Sequence, residues 1–209
     1  MTFVLASNNE GKLAELREIL SGLGLEVISQ RQAGLSLSVE ETGATFEDNA
    51  LLKARAACDA LGLPAIADDS GLEVAALGGA PGVYSARYGA VDGLELSSEE
   101  RNALLLRNTE GAEDRRARFV SAIACVFPDG TVLHARGEVA GELLREPRGD
   151  GGFGYDPVFY LPELKKSMAE LTPEEKNAVS HRGRALRLFR EKLIALQAGG
   201  LSGKVETHA

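Results

Sequence analysis

The sequence predicts an α/β protein, a mixed central sheet flanked by helices, and three observations predict it. The first half alternates short apolar runs with helical periodicity, the pattern of strands interleaved with helices. The middle carries two β-rich runs, 117–127 and 131–143, joined by Pro128-Asp129-Gly130. Asp-Gly between two such runs marks an antiparallel hairpin, so the sheet is mixed. The last quarter returns to helix, opening on Thr172-Pro173-Glu174-Glu175. There threonine caps, proline takes the first helical position, and a glutamate three residues on completes a capping box.

Taken in order, residues 2–6 read as a strand and 10–22 as a helix with Leu13, Leu16, Ile19 and Leu20 on one face. Residues 25–28 form a second strand. Thr45 starts a helix with Phe46, Ala50, Leu51, Ala54 and Ala57 roughly on one face, running to Leu61 and stopped by Gly62 and Pro64. Ala65-Ile66-Ala67 is a short buried strand, and 98–108 is helical. Gly183 inside a helix would cost about 1 kcal/mol relative to alanine. The helix from Thr172 is therefore expected to break near Ser180, which caps another helix reaching Gln197. Residues 199–209 have little to bury and read as a frayed tail.

The 209 residues suit one domain, 1–198, with room for two lobes. No apolar stretch approaches the roughly 18 residues of a membrane span, and the N-terminus lacks the basic start of a signal peptide. A net charge of −8 with no basic face argues against a nucleic-acid partner and suits a divalent metal. Cys58 and Cys125 sit in apolar surroundings without a CxxC or Cys/His cluster. They read as reduced core thiols of a cytoplasmic protein rather than zinc ligands.

Five stretches can carry chemistry. SNNEGK, residues 7–12, ends a strand and starts a helix, so free backbone N–H groups and the helix dipole point at one spot. Lys12 is badly placed against that dipole unless an anion lies nearby. The stretch is either a phosphate site or a cap by Asn8 or Asn9 beside a solvated lysine. In Ile66-Ala67-Asp68-Asp69-Ser70-Gly71, two aspartates follow the buried strand, where α/β sheets gather ligands. The pair suits a magnesium ion, a metal with a general base, or a plain polar turn. Glu40-Glu41 reads as a solvated pair or as a second metal carboxylate, and Lys53 as a surface lysine. GDGGFGYDP, residues 149–157, combines four glycines with Phe153, Tyr155 and Asp156. That composition suits a loop closing on a flat ligand, or a hinge. Lys176 and Ser180-His181-Arg182-Gly183 lie at the helix junction, where Arg182 can donate in a fixed fork.

Together, SNNEGK, ETGATFEDNALLKA, AIADDSGLEV, LGGAPGVYSARY, GGFGYDPVF and AELTPEEKNAVSHRGRAL, in this order over residues 7 to about 186, resemble the inosine/xanthosine triphosphate pyrophosphatase family. The resemblance implies a two-lobed fold with the active site in the cleft, Mg²⁺, a homodimer, and hydrolysis of ITP, dITP and XTP to the monophosphate and pyrophosphate. It implies that Ser7, Asn8, Asn9, Glu10, Gly11 and Lys12 hold the triphosphate, with Lys53 on the phosphates and Ser70 on the substrate. It implies Glu40 and Asp69 as metal ligands and Asp69 as general base. Asp68 and Glu41 remain alternatives for the base, because a metal lowers the basicity of its own ligand. It implies that Phe153 stacks on the purine with Gly154, Tyr155 and Asp156 around it, and that Lys176, His181 and Arg182 complete the base pocket. The family usually has threonine-glycine-asparagine where this chain has Ser7-Asn8-Asn9, a change that suits a left-handed backbone at Asn8. A pyrophosphatase for dTTP or UTP and a nucleotide-binding regulator are the competing readings. The clustered Glu40, Asp68 and Asp69 speak against pure binding.

Overall fold

The computed structural model describes residues 1–202, with side chains through Ala198. Seven strands form one sheet in the order β2-β1-β3-β4-β5-β6-β7. The N-terminal part is β1 (Thr2–Leu5), α1 (Glu10–Ile19), β2 (Glu26–Ser29), α2 (Phe46–Leu61) and β3 (Ala65–Val74). Here β1 lies parallel to both β2 and β3. After α3 (Ser98–Asn108) come β4 (Arg116–Val126) and β5 (Val132–Leu143), followed by β6 (Phe159–Leu161) and β7 (Lys166–Ser167), all antiparallel to their neighbours. The chain ends in α4 (Pro173–Val179) and α5 (His181–Ser202). The mixed α/β sheet flanked by helices is as expected.

Most elements follow from their caps. Thr45 accepts from the Asp48 N–H, and Gly62 closes α2 in the left-handed conformation at φ 63°. Thr172 and Glu175 form the capping box of α4. Ser180 caps the new helix by accepting from the Gly183 N–H at 3.0 Å. α1 is shorter than expected and ends at Ile19, whereas α5 passes the expected end at Gln197 and runs to Ser202. The rest of the stretch read as a tail, 203–209, lies outside the described residues.

One correction moves the site. The strand expected over 65–67 continues to Val74, paired with β4 from Ala65↔Val126 to Val74↔Ala117. Asp-Asp-Ser-Gly resembles a turn in isolation, but ten residues of ladder pairing override that local preference. Asp68 and Asp69 are therefore mid-strand residues and point to opposite faces of the sheet. The face of Asp68 carries α1 and α5, whose Leu13, Leu16, Leu186 and Phe189 pack with Ile66 and Ile123. The face of Asp69 carries α2, whose Phe46, Ala50, Ala54 and Ala57 pack with Ala67 and Ala122. A third cluster, around Leu72, Leu105, Phe119 and Phe159, fills the far half of the sheet.

Two features leave the cleft open. β1 stops at Leu5, opposite Ile66, while β3 runs on past it, so the α1 N-terminus sits beside the two aspartates. α5 also crosses β5 closely at Gly137, where a β-carbon would collide with the His181 carbonyl oxygen. Only glycine lets the first turn of α5 sit this deep. Both cysteines are buried and unpaired, as expected. No helix among the described residues is long and apolar enough to cross a membrane.

Candidate active site

A cavity of about 340 Å³ lies where these elements meet, within the size range of small-molecule sites. Asn9, Lys12, Ser70, Phe153, Gly154, Tyr155, Asp156, Lys176, His181 and Arg182 line it, ten of the residues expected from sequence.

At the α1 end, the Asn9 side chain caps the helix by accepting from the Lys12 N–H at 3.1 Å, and the Ser7 hydroxyl accepts from the Asn9 N–H at 3.1 Å. Asn8 is exposed. The non-glycine residues with positive φ among those described are Asp92 and Lys165, so Asn8 does not take the left-handed backbone that would suit the change from glycine. The Ser7–Asn9 hydrogen bond holds this turn without it. Glu10 faces outward in an exposed pair with Arg31. Lys12 turns inward, its Nζ 2.9 Å from Asp68 Oδ2 and 3.1 Å from the Asp68 carbonyl oxygen. Lys53 Nζ approaches the same carbonyl at 3.4 Å and is no surface lysine. It also binds Asp69 Oδ1 at 2.6 Å and Glu41 Oε1 at 2.7 Å.

The two aspartates differ sharply. Asp68 Oδ1 accepts from the Ser121 hydroxyl at 2.7 Å, and Oδ2 takes both Lys12 and Arg182 Nε at 2.9 Å. Burial alone would raise its pKa, but Lys12 and Arg182 outweigh it and hold Asp68 far below the usual carboxylate range. Asp69 is raised, chiefly by burial and further by nearby Glu41, against the pull of Lys53. Glu41 is lowered: Lys53 and Arg87 overcome the cost of its partial burial. Of the three carboxylates considered as a base, Asp69 alone is shifted toward holding a proton. The Lys12 ammonium is depressed, first by burial and then by Arg182 and Lys53 close by, despite Asp68. An anion entering here would relieve that crowding.

Of the glutamate pair, Glu41 rather than Glu40 joins the network. Exposure alternates along residues 35–43, so neighbours point opposite ways, and Glu40 is on the exposed side. The ion pairs here join five cations (Lys12, Lys53, Arg87, Lys176, Arg182) to five carboxylates (Glu15, Glu41, Asp68, Asp69, Asp156).

Phe153 is 40% exposed over the cleft, its ring beside Gly11 in the first turn of α1. Lys176 Nζ sits 4.3 Å from its ring centroid and the Arg182 guanidinium carbon 5.3 Å away. Asp156 Oδ2 accepts from Lys176 Nζ and from the Phe153 N–H, both at 2.8 Å, which ties this part of the loop 149–157 to α4. The Tyr155 hydroxyl donates to the Ser85 carbonyl at 2.7 Å and is committed to packing. The Arg182 fork is also engaged: Nε donates to Asp68, Nη1 to Glu15 at 2.8 Å and Nη2 to Ser70 at 3.0 Å. Three of its five N–H groups are thus taken. His181 stacks on Phe119 with centroids 4.6 Å apart, and its buried Nδ1 has no partner. Burial, with Arg182 adjacent, keeps this imidazole neutral by lowering its pKa well below the ordinary value.

The sequence profile of the Ham1 family matches residues 3–192. The chain belongs to the Ham1 family. It is 52% identical over 194 residues to a dITP/XTP pyrophosphatase of Thermus thermophilus, covering 91% of each chain. To that of Deinococcus radiodurans it is 52% identical over 183 residues, 88% of each. The solved Ham1 protein of Staphylococcus aureus superposes with a TM-score of 0.84 at 44% identity, covering 93% of this chain and 99% of that one. The HAM1 protein of Coxiella burnetii gives 0.85 at 45% identity, with the same coverage.

Several polar residues of this Ham1-family site were not expected. Ser121 holds Asp68 from inside the apolar run of β4. Asn49, fully buried in α2, reaches Asp69 Oδ2 at 3.5 Å and accepts from the Gly43 N–H at 2.8 Å. Glu15 on α1 pairs with Arg182. Asn49 carried a readable signal, a polar residue four before Lys53 on an otherwise apolar helix face. Glu15 carried none, because its partner is 167 residues away.

Proposed function

We propose that the chain is a nucleoside triphosphate pyrophosphohydrolase acting on deaminated purine nucleotides, dITP, ITP and XTP, and removing them from the pools that feed DNA and RNA. The observation that carries this reading is the convergence of Lys12 and Lys53 on one carbonyl of β3, beside the α1 N-terminus and Asp69, with the half-exposed Phe153 ring in the cavity that Lys12 lines. A phosphate chain needs those cations, and a flat base needs that ring. The names of the relatives at 52% identity agree with it.

Mg²⁺ is the proposed cofactor. Cations and carboxylates are already balanced in this cluster, so a triphosphate brings charge that the protein alone does not neutralise. Among the described residues no three metal-binding side chains converge. Glu41 and Asp69, both touching Lys53, fit a magnesium ion that arrives with phosphates and keeps waters. Glu41 thereby takes the place expected for Glu40. When bound, the ion neutralises phosphate charge.

In the reaction, the N–H groups of Glu10 and Gly11 and the Lys12 and Lys53 ammoniums hold the phosphates. Water attacks the α-phosphorus, and the bond to the β-phosphate oxygen breaks, that oxygen leaving with the electron pair as pyrophosphate. Asp69 takes the proton from the water. Asp68 stays ionised and keeps Lys12 and Arg182 in place. Phe153 stacks on the purine, with Lys176 and Arg182 drawn to its ring. Neutral His181, in the lining, faces the 6-oxo edge, and Asp156 accepts from the ring N–H. Adenine reverses donor and acceptor there and leaves buried groups unpaired, which discriminates strongly. The homodimer and the cytoplasmic location rest on the family resemblance, and the mass of the protein in solution checks the first.

The test is pyrophosphate release with Mg²⁺ from ITP, XTP, dITP, ATP, GTP and dTTP. Fast release from the first three alone is expected. Equal rates on ATP would sink the base pocket, and inorganic phosphate as product would sink the site of cleavage.

A further inference from the structure

The stretch LGGAPGVYSARY, residues 77–88, supplies no group to the reaction described above, yet it is fixed at successive residues. Its 3-10 turn, Gly82–Arg87, packs on β3 where Gly71 leaves room. A β-carbon at Gly71 would collide with the Ser85 hydroxyl oxygen and the Gly82 carbonyl oxygen. Ser85 Oγ accepts from the Leu72 N–H at 2.8 Å and donates to the Gly82 carbonyl at 2.7 Å. The Ser85 carbonyl accepts from Tyr155, and the Ala86 carbonyl from Arg101 at 2.8 Å. Arg87 thus projects from a backbone that cannot drift.

Its guanidinium lies 5.1 Å from the Tyr84 ring centroid and grips Glu41 twice. Nη1 donates to Oε2 at 2.9 Å and Nη2 to the main-chain carbonyl at 3.3 Å. The other carboxylate oxygen, Oε1, takes Lys53, which takes Asp69. Glu41 itself lies outside every helix and strand. Without the arginine fork, Lys53 is the one remaining side chain paired with the Glu41 carboxylate among the described residues.

We infer that Arg87 is a positioning residue for pyrophosphate release: it occupies Oε2 of Glu41, leaves Oε1 for Lys53 and the cation, and through them sets the placement of Asp69. The inference rests on the proposed reading that Glu41, Lys53 and Asp69 serve the reaction. The Arg87 side chain is 35% exposed, and a pair that open contributes little to stability. Its loss is therefore read in turnover and in binding of the cation–nucleotide complex, not in the unfolding temperature.

The experiment is a cycle of Arg87→Met, Glu41→Gln and the double variant, with Arg87→Lys alongside. It reads kcat and KM for ITP, binding of the Mn²⁺ complex of a non-hydrolysable ITP analogue by calorimetry, and Tm. Arg87→Met should lower kcat and weaken binding of that complex by about 10-fold or more, as removal of a residue that orients a metal ligand does, with Tm near that of the parent. Arg87→Lys should recover part of the loss. In the Glu41→Gln background the Arg87 substitution should add nothing, because it acts through Glu41. Parental kcat and affinity for the Mn²⁺ complex in Arg87→Met, or an equal loss in both backgrounds, overturns the inference. A parental rate in Glu41→Gln overturns instead the reading of the site on which the inference rests.

Discussion

Asp68 and Asp69 are the same residue type at adjacent positions of one strand, and they have opposite surroundings. Asp68 faces α1 and α5, where Lys12, Arg182 and Ser121 surround it. Asp69 faces α2, where Lys53 binds one oxygen and Asn49 approaches the other at 3.5 Å. One is locked in its ionised form and the other is raised toward protonation. Strand alternation thus gives opposite surroundings to a pair that, read as a turn, looks like one metal clamp: Asp68 anchors Lys12 and Arg182, and Asp69 is the proposed base.

Removing the anchor should have the largest effect on folding. Asp68→Asn leaves Lys12 and Arg182 buried without their shared counter-charge, a loss of about 3–5 kcal/mol. For a chain of this size that lowers Tm by about 10 °C, measured by calorimetry. Ser121→Ala removes one charge-assisted bond on the same face and should cost about 1–3 kcal/mol, read from urea unfolding. Acid unfolding separates the two aspartates further. The folded pKa of Asp68 is depressed, so its contribution is present above the unfolded value, about 3.9, and disappears as pH falls below it. Asp69 is raised, so ionising it costs stability as pH rises. The steep loss of Tm below about pH 4 should therefore flatten in Asp68→Asn and persist in Asp69→Asn. The smallest effect is expected for Tyr155→Phe. It frees one buried carbonyl, at about 1 kcal/mol by thermal unfolding, and leaves turnover of ITP close to the parent.

The fold was legible wherever local chemistry decided it. Thr45, Gly62, Thr172 and Ser180 bound their helices as capping rules demand, and Asp129-Gly130 turned the hairpin. The length of β3 was not legible, because Asp-Asp-Ser-Gly has poor strand propensity and becomes strand only through its pairing with β4. The same error hid the separation of the two aspartates, since a turn carries no alternation. Glu40 and Glu41 are indistinguishable as letters, and only the path of the loop turns the second toward Lys53. Arg182 was legible as part of the site but not as the partner of Asp68, Glu15 and Ser70. Those partners come from α1 and β3, far away in sequence.

The most direct measurement is pyrophosphate release from ITP by Asp69→Asn, beside its thermal unfolding. The assignment of Asp69 as base predicts a fall in kcat of about 10²–10⁴-fold, with Tm close to the parent. A variant that keeps more than about a tenth of the parental kcat, against that expected range, contradicts it and returns the base to another group of the cleft.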